Sequence, residues 1–153
     1  MKTIAKCITT EIGHRIFRAE EGKEISFVNN EYEIVCDVVP IENCVFGKKV
    51  GGKRCDYLFL FDKLKQTYNI LKTKKSIAYY VELKGTELVE GCEQLLNSIT
   101  ETRDQIPNFE IFPIVVSSHE FVPSIHNNEF ARDLQRLIKK NIRFEITPFT
   151  IHI

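Results

Sequence analysis

The chain has 153 residues, of which 43% are hydrophobic and 27% are charged. These values are typical of a globular protein, and the length fits a single domain over residues 1–153. With 21 basic and 21 acidic side chains the net charge is zero, which excludes a global positive field that attracts nucleic acid, so any phosphate-binding surface must be local.

The first third of the chain is predicted to form β structure. The segments EISFV (24–28) and YEIVCDVV (32–39) are separated by the turn sequence NNE, so we expect a hairpin. The preceding residues, 2–18, fit neither the helical nor the strand period. The segment FGKKVGGKR (46–54) is predicted to be a basic loop that contains glycine.

Two strands of the middle third are predicted to lie in the centre of a sheet. Residues 55–61 are apolar on both faces apart from Asp56, as in a strand that is covered on both sides. In residues 76–84, SIAYYVELK, the side chains of Glu82 and Lys84 fall on one face, at the C-terminal end of the strand. Two charges in such a strand are costly to bury, so they require a partner or a site.

An amphipathic helix is predicted directly after this strand. Gly85 permits a sharp turn, Thr86 suits the N-cap, and Glu87 and Glu90 favour the positive end of the helix dipole. Apolar residues then recur at helical spacing: Leu88, Cys92, Leu95, Leu96 and Ile99.

The predicted strand after this helix, EIFPIVVSS (110–118), completes a strand–helix–strand crossover. It should therefore run parallel to the strand 76–84. A second helix is predicted within residues 127–141, and residues 143–153 should form edge strands interrupted by Pro148. The predicted fold class is α/β, with an α+β mixed sheet flanked by helices.

Two carboxylates are expected to meet at one end of this sheet. Asp56 begins one central strand and Glu82 ends the next, so antiparallel pairing would bring them together. Such oxygen ligands suit Mg²⁺ or Mn²⁺, and both residues are predicted metal ligands. Lys84 could orient a water molecule and offset charge on a phosphoryl group. This arrangement is suited to metal-assisted phosphodiester hydrolysis.

Asp56, the triplet Glu82-Leu83-Lys84 and Gln94 on the following helix resemble the PD-(D/E)XK nuclease superfamily, which has the restriction-endonuclease-like fold. The resemblance covers about residues 50–120, the nuclease-like core. It implies a central mixed β-sheet flanked by helices and an Mg²⁺-dependent DNA endonuclease. Asp56, Glu82, Lys84 and Gln94 would be its catalytic residues. It also implies a DNA substrate and a homodimer, since small members often dimerise to cut both strands.

The sequence departs from the superfamily pattern in two ways. Cys55, not proline, precedes Asp56, and no N-terminal helix with an extra acidic residue can be identified. The candidates for that extra carboxylate are Glu11, Glu20, Glu33 and Asp37. The triplet alone has little specificity, because Glu21-Gly22-Lys23 repeats it in an apparent loop. The triplet at Glu82 differs because an apolar strand precedes it and an amphipathic helix follows.

Basic residues close to Asp56 in the sequence could contact DNA phosphates. They are Lys48, Lys49, Lys53 and Arg54. A solvated loop explains the same residues equally well.

Each candidate site residue also has a purely structural interpretation. Glu82 and Lys84 could form an exposed ion pair between strands or at a sheet edge. Asp56 could bridge to Lys53 or Arg54 at the start of its strand. Gln94 could lie on the surface of its helix.

The alternative function is a catalytically inactive nuclease-fold module that binds an accessory protein, as in a mobile-element or defence system. The neutral charge favours this alternative, because a DNA enzyme commonly has a basic bias. The presence of Asp56, Glu82 and Lys84 opposes it. An enzyme of unrelated chemistry is disfavoured, because the chain has no phosphate-cradling glycine loop, nucleophile elbow or dinucleotide fingerprint.

The cysteines and the hydropathy indicate the compartment. The five cysteines, Cys7, Cys36, Cys44, Cys55 and Cys92, are odd in number and irregularly spaced. This pattern favours buried thiols in a reducing compartment over a disulfide framework. No apolar run approaches membrane-spanning length, so we expect a cytoplasmic protein without membrane contact.

Overall fold

A computed structural model describes residues 1–47 and 53–153, so Lys48 and Lys49 lie outside the described residues. The strands are β1 (Thr9–Gly13), β2 (Arg15–Glu20), β3 (Lys23–Val28), β4 (Ile34–Pro40), β5 (Tyr57–Phe61), β6 (Ser76–Lys84), β7 (Phe109–Ser117), β8 (Arg143–Ile146) and β9 (Phe149–His152). The α-helices are α1 (Leu88–Thr102) and α2 (Glu129–Ile138). A mixed six-stranded sheet has the order β1-β4-β5-β6-β7-β8, and a second sheet has the order β2-β3-β9. The predicted class of a mixed sheet flanked by helices is therefore confirmed.

The central strands pair as their sequences predict. β5 and β6 are antiparallel, with Tyr57 opposite Val81. β6 and β7 are parallel, with Glu82 opposite Val115, and α1 connects them. Because both strands are apolar on two faces, each face of the large sheet is covered, one by the helices and the other by the second sheet.

The helices form because their apolar residues recur on one face. In α1 the side chains of Cys92, Leu95 and Ile99 are fully buried, as the predicted stripe requires. The helix begins at Leu88, so Glu87 takes the N-cap position that was predicted for Thr86, without a side-chain capping bond.

The predicted hairpin between residues 24–28 and 32–39 is wrong, because these segments are β3 and β4 and belong to different sheets. β3 pairs with β2 instead. The turn between them is Glu21-Gly22, where both residues have positive φ angles of 47° and 80°, as a two-residue hairpin turn requires. The side-chain oxygen of Asn29 accepts hydrogen bonds from the backbone N–H groups of Glu31 and Tyr32, which turns the chain from one sheet into the other.

The chain also passes between the sheets at both ends of the strand order. Only His14 separates β1 from β2, and only Thr147 and Pro148 separate β8 from β9. β8 and β9 are the last strands of their sheets, in agreement with the predicted edge strands and the interruption at Pro148.

The prediction of free thiols is wrong for two of the cysteines. Cys7 and Cys44 form a disulfide, because the 3₁₀ turn Ile4–Cys7 packs against the π-helical segment Ile41–Phe46. Cys36, Cys55 and Cys92 are free and buried, as predicted. In the part of the chain that the structure describes, neither α-helix is both long and apolar enough to span a membrane.

A candidate carboxylate and lysine site at the end of β5 and β6

Asp56 and Glu82 meet at one end of the large sheet. Asp56 directly precedes β5, and the antiparallel register places it next to Glu82 of β6. The backbone N–H of Asp56 donates to Glu82 Oε2 at 3.1 Å, and the backbone N–H of Leu83 donates to Asp56 Oδ2 at 2.9 Å. Each carboxylate is therefore held by the backbone of the neighbouring strand.

Glu82 is 3% exposed, and its strand lies between β5 and β7 in the sheet. It is therefore not part of an exposed ion pair at a sheet edge. Among the described residues, Asp56 Oδ1 and Glu82 Oε1 have no hydrogen-bond partner. These two oxygens are thus available to a ligand.

Burial makes the ionised form of both carboxyls costly. It raises the pKa of Asp56 to about 7, against the hydrogen bond from Leu83, which lowers it. Burial, together with the negative charge of Asp56, raises the pKa of Glu82 to about 9. A bound cation would remove this cost.

Lys84 lies on the same strand face as Glu82, as strand alternation predicts. Its ammonium does not pair with Glu82. Lys84 Nζ is 3.4 Å from Glu90 Oε2, in the first turn of α1. The positive charge is nevertheless close enough to lower the pKa of both Asp56 and Glu82.

Gln94 is buried on the inner face of α1, so its interpretation as a helix-surface residue is wrong. Its Nε2 donates to the backbone carbonyl of Arg54 at 3.1 Å. Its Oε1 is buried and has no hydrogen-bond partner among the described residues. Gln94 thus holds the backbone that leads into Asp56.

Sequence reasoning missed the other groups that hold this backbone. The buried N–H of Cys55 donates to Ser98 Oγ at 2.8 Å. Two further bonds come from the segment Ile41–Phe46. The N–H of Ile41 donates to the backbone carbonyl of Asp56 at 2.9 Å, and the N–H of Glu42 donates to the backbone carbonyl of Cys55 at 3.2 Å. The helical spacing of Gly91, Gln94 and Ser98, three small or polar residues beside the apolar stripe, was the available signal.

Gly91 allows α1 to approach the site closely. A Cβ atom at this position would lie 3.6 Å from Glu82 Cγ and 3.5 Å from a methyl group of Val115. A larger side chain here would displace the helix from the carboxylates.

Of the four predicted basic contacts, the two that the structure describes, Lys53 and Arg54, form ion pairs with α1. Lys53 Nζ lies 3.0 Å from Glu93, and Arg54 Nη2 lies 2.5 Å from Glu101. The alternative in which Asp56 bridges to either of them is therefore wrong. Their charge is largely neutralised by their partners.

Of the four N-terminal candidates for an extra carboxylate, Glu20 lies nearest to the site. Glu20 Oε1 accepts a hydrogen bond from Tyr57 at 2.7 Å, and its charge raises the pKa of Asp56. Glu11 pairs with Arg18, and Asp37 accepts bonds from Thr10 and Lys65.

The charge of Glu42, which was not predicted, raises the pKa of both Asp56 and Glu82. The described residues 1–47 contain no α-helix.

The donor set at this site consists of two carboxylates. Within the described ranges, no group of three or more His, Cys, Asp or Glu side chains is placed to hold a metal ion. Mg²⁺ is commonly held by one or two carboxylates together with water, so Asp56 and Glu82 fit the protein share of such a site. The burial of Glu82 and the two carboxylate oxygens without a hydrogen-bond partner among the described residues support this fit.

Comparison with protein-family models, with curated proteins and with solved structures found no match.

Proposed function

We propose that this protein is a metal-dependent DNA nuclease of the PD-(D/E)XK type. The supporting observation is the pairing of Asp56 with Glu82 at a sheet end, with Lys84 on the same face as Glu82. Each carboxylate has one oxygen that accepts no hydrogen bond from the residues that the structure describes. The order of β5, β6, α1 and β7 agrees with what the resemblance over residues 50–120 implies.

Asp56 and Glu82 would hold Mg²⁺ or Mn²⁺, which when bound would polarise a phosphoryl oxygen and lower the pKa of a water molecule. Lys84 would donate a hydrogen bond to a phosphate oxygen or to the attacking water. Gln94 would keep Asp56 in register by holding the carbonyl of Arg54. The proposed substrate is DNA, and the proposed assembly is a homodimer.

Cleavage of supercoiled plasmid and of single-stranded circular DNA tests this proposal, with Mg²⁺, Mn²⁺ or a chelator. We expect metal-dependent cutting by the wild type, and a loss of at least about 10²-fold in Lys84→Ala, Asp56→Asn and Glu82→Gln. Lys74→Ala is the matched control, because Lys74 is exposed and precedes the opposite end of β6. Circular dichroism spectra should show that every variant is folded. Equal cutting by Lys84→Ala and the wild type would contradict the proposal.

A second candidate function is a catalytically inactive module that binds an accessory protein. The ion pairs of Lys53 with Glu93 and of Arg54 with Glu101 favour it, because they engage two of the basic groups that were predicted to contact phosphates. DNA affinity measured against salt concentration separates the two functions. A nuclease should lose affinity steeply as salt rises, whereas a protein-binding module should not bind DNA.

A further inference from the structure

The ion pair between Lys84 and Glu90 has a role that the proposed function does not assign. Glu90 projects from the first turn of α1, and its carboxylate is 33% exposed, whereas the side chain of Lys84 is 18% exposed. In the part of the chain that the structure describes, Glu90 is the acidic residue whose oxygen lies within ion-pair distance of the Lys84 ammonium. Asp56 and Glu82 lie nearby without such a contact.

The Lys84 ammonium has an alternative partner, because it lies near the buried carboxylate of Glu82 and the partly buried carboxylate of Asp56. Its four-carbon stem is flexible, and attraction between opposite charges increases where water is excluded. Without another partner, the Lys84 ammonium would fold onto the free oxygens of Asp56 and Glu82. It would then occupy the place of a divalent cation.

We propose that Glu90 is a positioning residue that holds the Lys84 ammonium on the α1 side of the site and so keeps the carboxylates of Asp56 and Glu82 open to a divalent cation. The inference rests on the proposed function, because it presupposes that this carboxylate pair binds a metal. It adds a requirement: the lysine must be held away from the carboxylates until the metal is bound.

Calorimetric titration with Mn²⁺ tests this role without any measurement of activity. The variants form a double-mutant cycle: wild type, Glu90→Gln, Lys84→Met and the double variant. We expect Glu90→Gln to weaken Mn²⁺ binding by about tenfold when Lys84 is present and by no more than about twofold in the Lys84→Met background. The effect should depend on Lys84, because the competing group is its ammonium.

The control for simple loss of negative charge is Glu87→Gln. Glu87 is exposed at the same end of α1 and has no ion-pair partner among the described residues. We expect this variant to change Mn²⁺ affinity by less than about twofold, because an exposed charge is screened.

The possible outcomes separate the inference from the proposed function. Equal effects of Glu90→Gln in both backgrounds would overturn the positioning role and leave the metal site standing. Equal effects of Glu90→Gln and Glu87→Gln would overturn it in the same way. Absence of Mn²⁺ binding by the wild type would overturn the proposed function, and the inference with it.

Discussion

Asp56 and Glu82 link the stability of the fold to protonation. Their pKa values in the folded protein, about 7 and about 9, lie above their ordinary values of 3.8 and 4.5. Between the ordinary and the raised values the native state binds more protons than the unfolded chain does. The free energy of unfolding should therefore fall as pH rises over this interval, and these groups should add no slope below or above it.

We expect the thermal midpoint of the wild type, measured in a chelator, to decrease from pH 5 to pH 9. Glu82→Gln should flatten this decrease, because the amide does not ionise over this pH range. Mg²⁺ should raise the midpoint more at pH 9 than at pH 5, because metal binding requires ionised carboxylates. Thermal unfolding across this pH range measures all three effects. The same slope in both proteins would contradict the assignment.

At this scale the sequence predicts which residues share a face but not which residues form pairs. Glu82 and Lys84 must lie on one face, because strand alternation has a fixed period of two. The partner of Lys84, Glu90, depends on the angle and distance at which α1 packs on the sheet, and no local pattern encodes these. The raised pKa values of Asp56 and Glu82 also depend on how the chain packs, because burial is their largest cause.

At the scale of elements, the connection between β6, α1 and β7 was predictable because every step in it is local. The apolar strand, the turn at Gly85 and the apolar stripe of the helix each indicate the same strand–helix–strand unit. The handedness of its crossover follows from the general rule for parallel strands. The hairpin prediction failed because two turn sequences flank β3, and each of them could pair it with a neighbouring strand. The Glu21-Gly22 turn closes β2 onto β3, so the NNE segment connects two sheets. The pairing of β1 with β4 is not local and leaves no signature in either strand.

Helix α1 positions the site by holding the backbone before Asp56. Ser98→Ala should lower the free energy of unfolding by about 1–3 kcal/mol, because the buried N–H of Cys55 loses its acceptor. Thr100→Ala is the matched control, since Thr100 is exposed on the same helix, and it should change stability by less than about 0.5 kcal/mol. Chemical denaturation measures both. Equal effects of the two substitutions would show that the bond to Ser98 adds nothing.

At the scale of the whole molecule, the Cys7–Cys44 disulfide restricts the unfolded chain. It joins residues 37 positions apart, and closing a loop of this length stabilises a fold by about 4 kcal/mol in the chain-entropy treatment. We expect the double variant Cys7→Ser/Cys44→Ser to lose about this amount of unfolding free energy. Composition alone did not predict the bond, because the pairing depends on how the N-terminal turn meets the segment Ile41–Phe46.

A reducing agent provides the control for this prediction. It should bring the wild type down to the stability of the double variant and leave the double variant unchanged. If it lowers the stability of both proteins equally, the loss does not come from this bond.

Two of the crossings between the sheets, those at the margins, are very short and have a mechanical consequence. One residue connects β1 to β2 and two residues connect β8 to β9. An extended chain spans at most about 3.6 Å per residue, so these connections allow at most roughly 7 Å and 11 Å between the strand ends. The two sheets are thus joined at opposite margins, and these short connections limit how far one sheet can slide or open relative to the other.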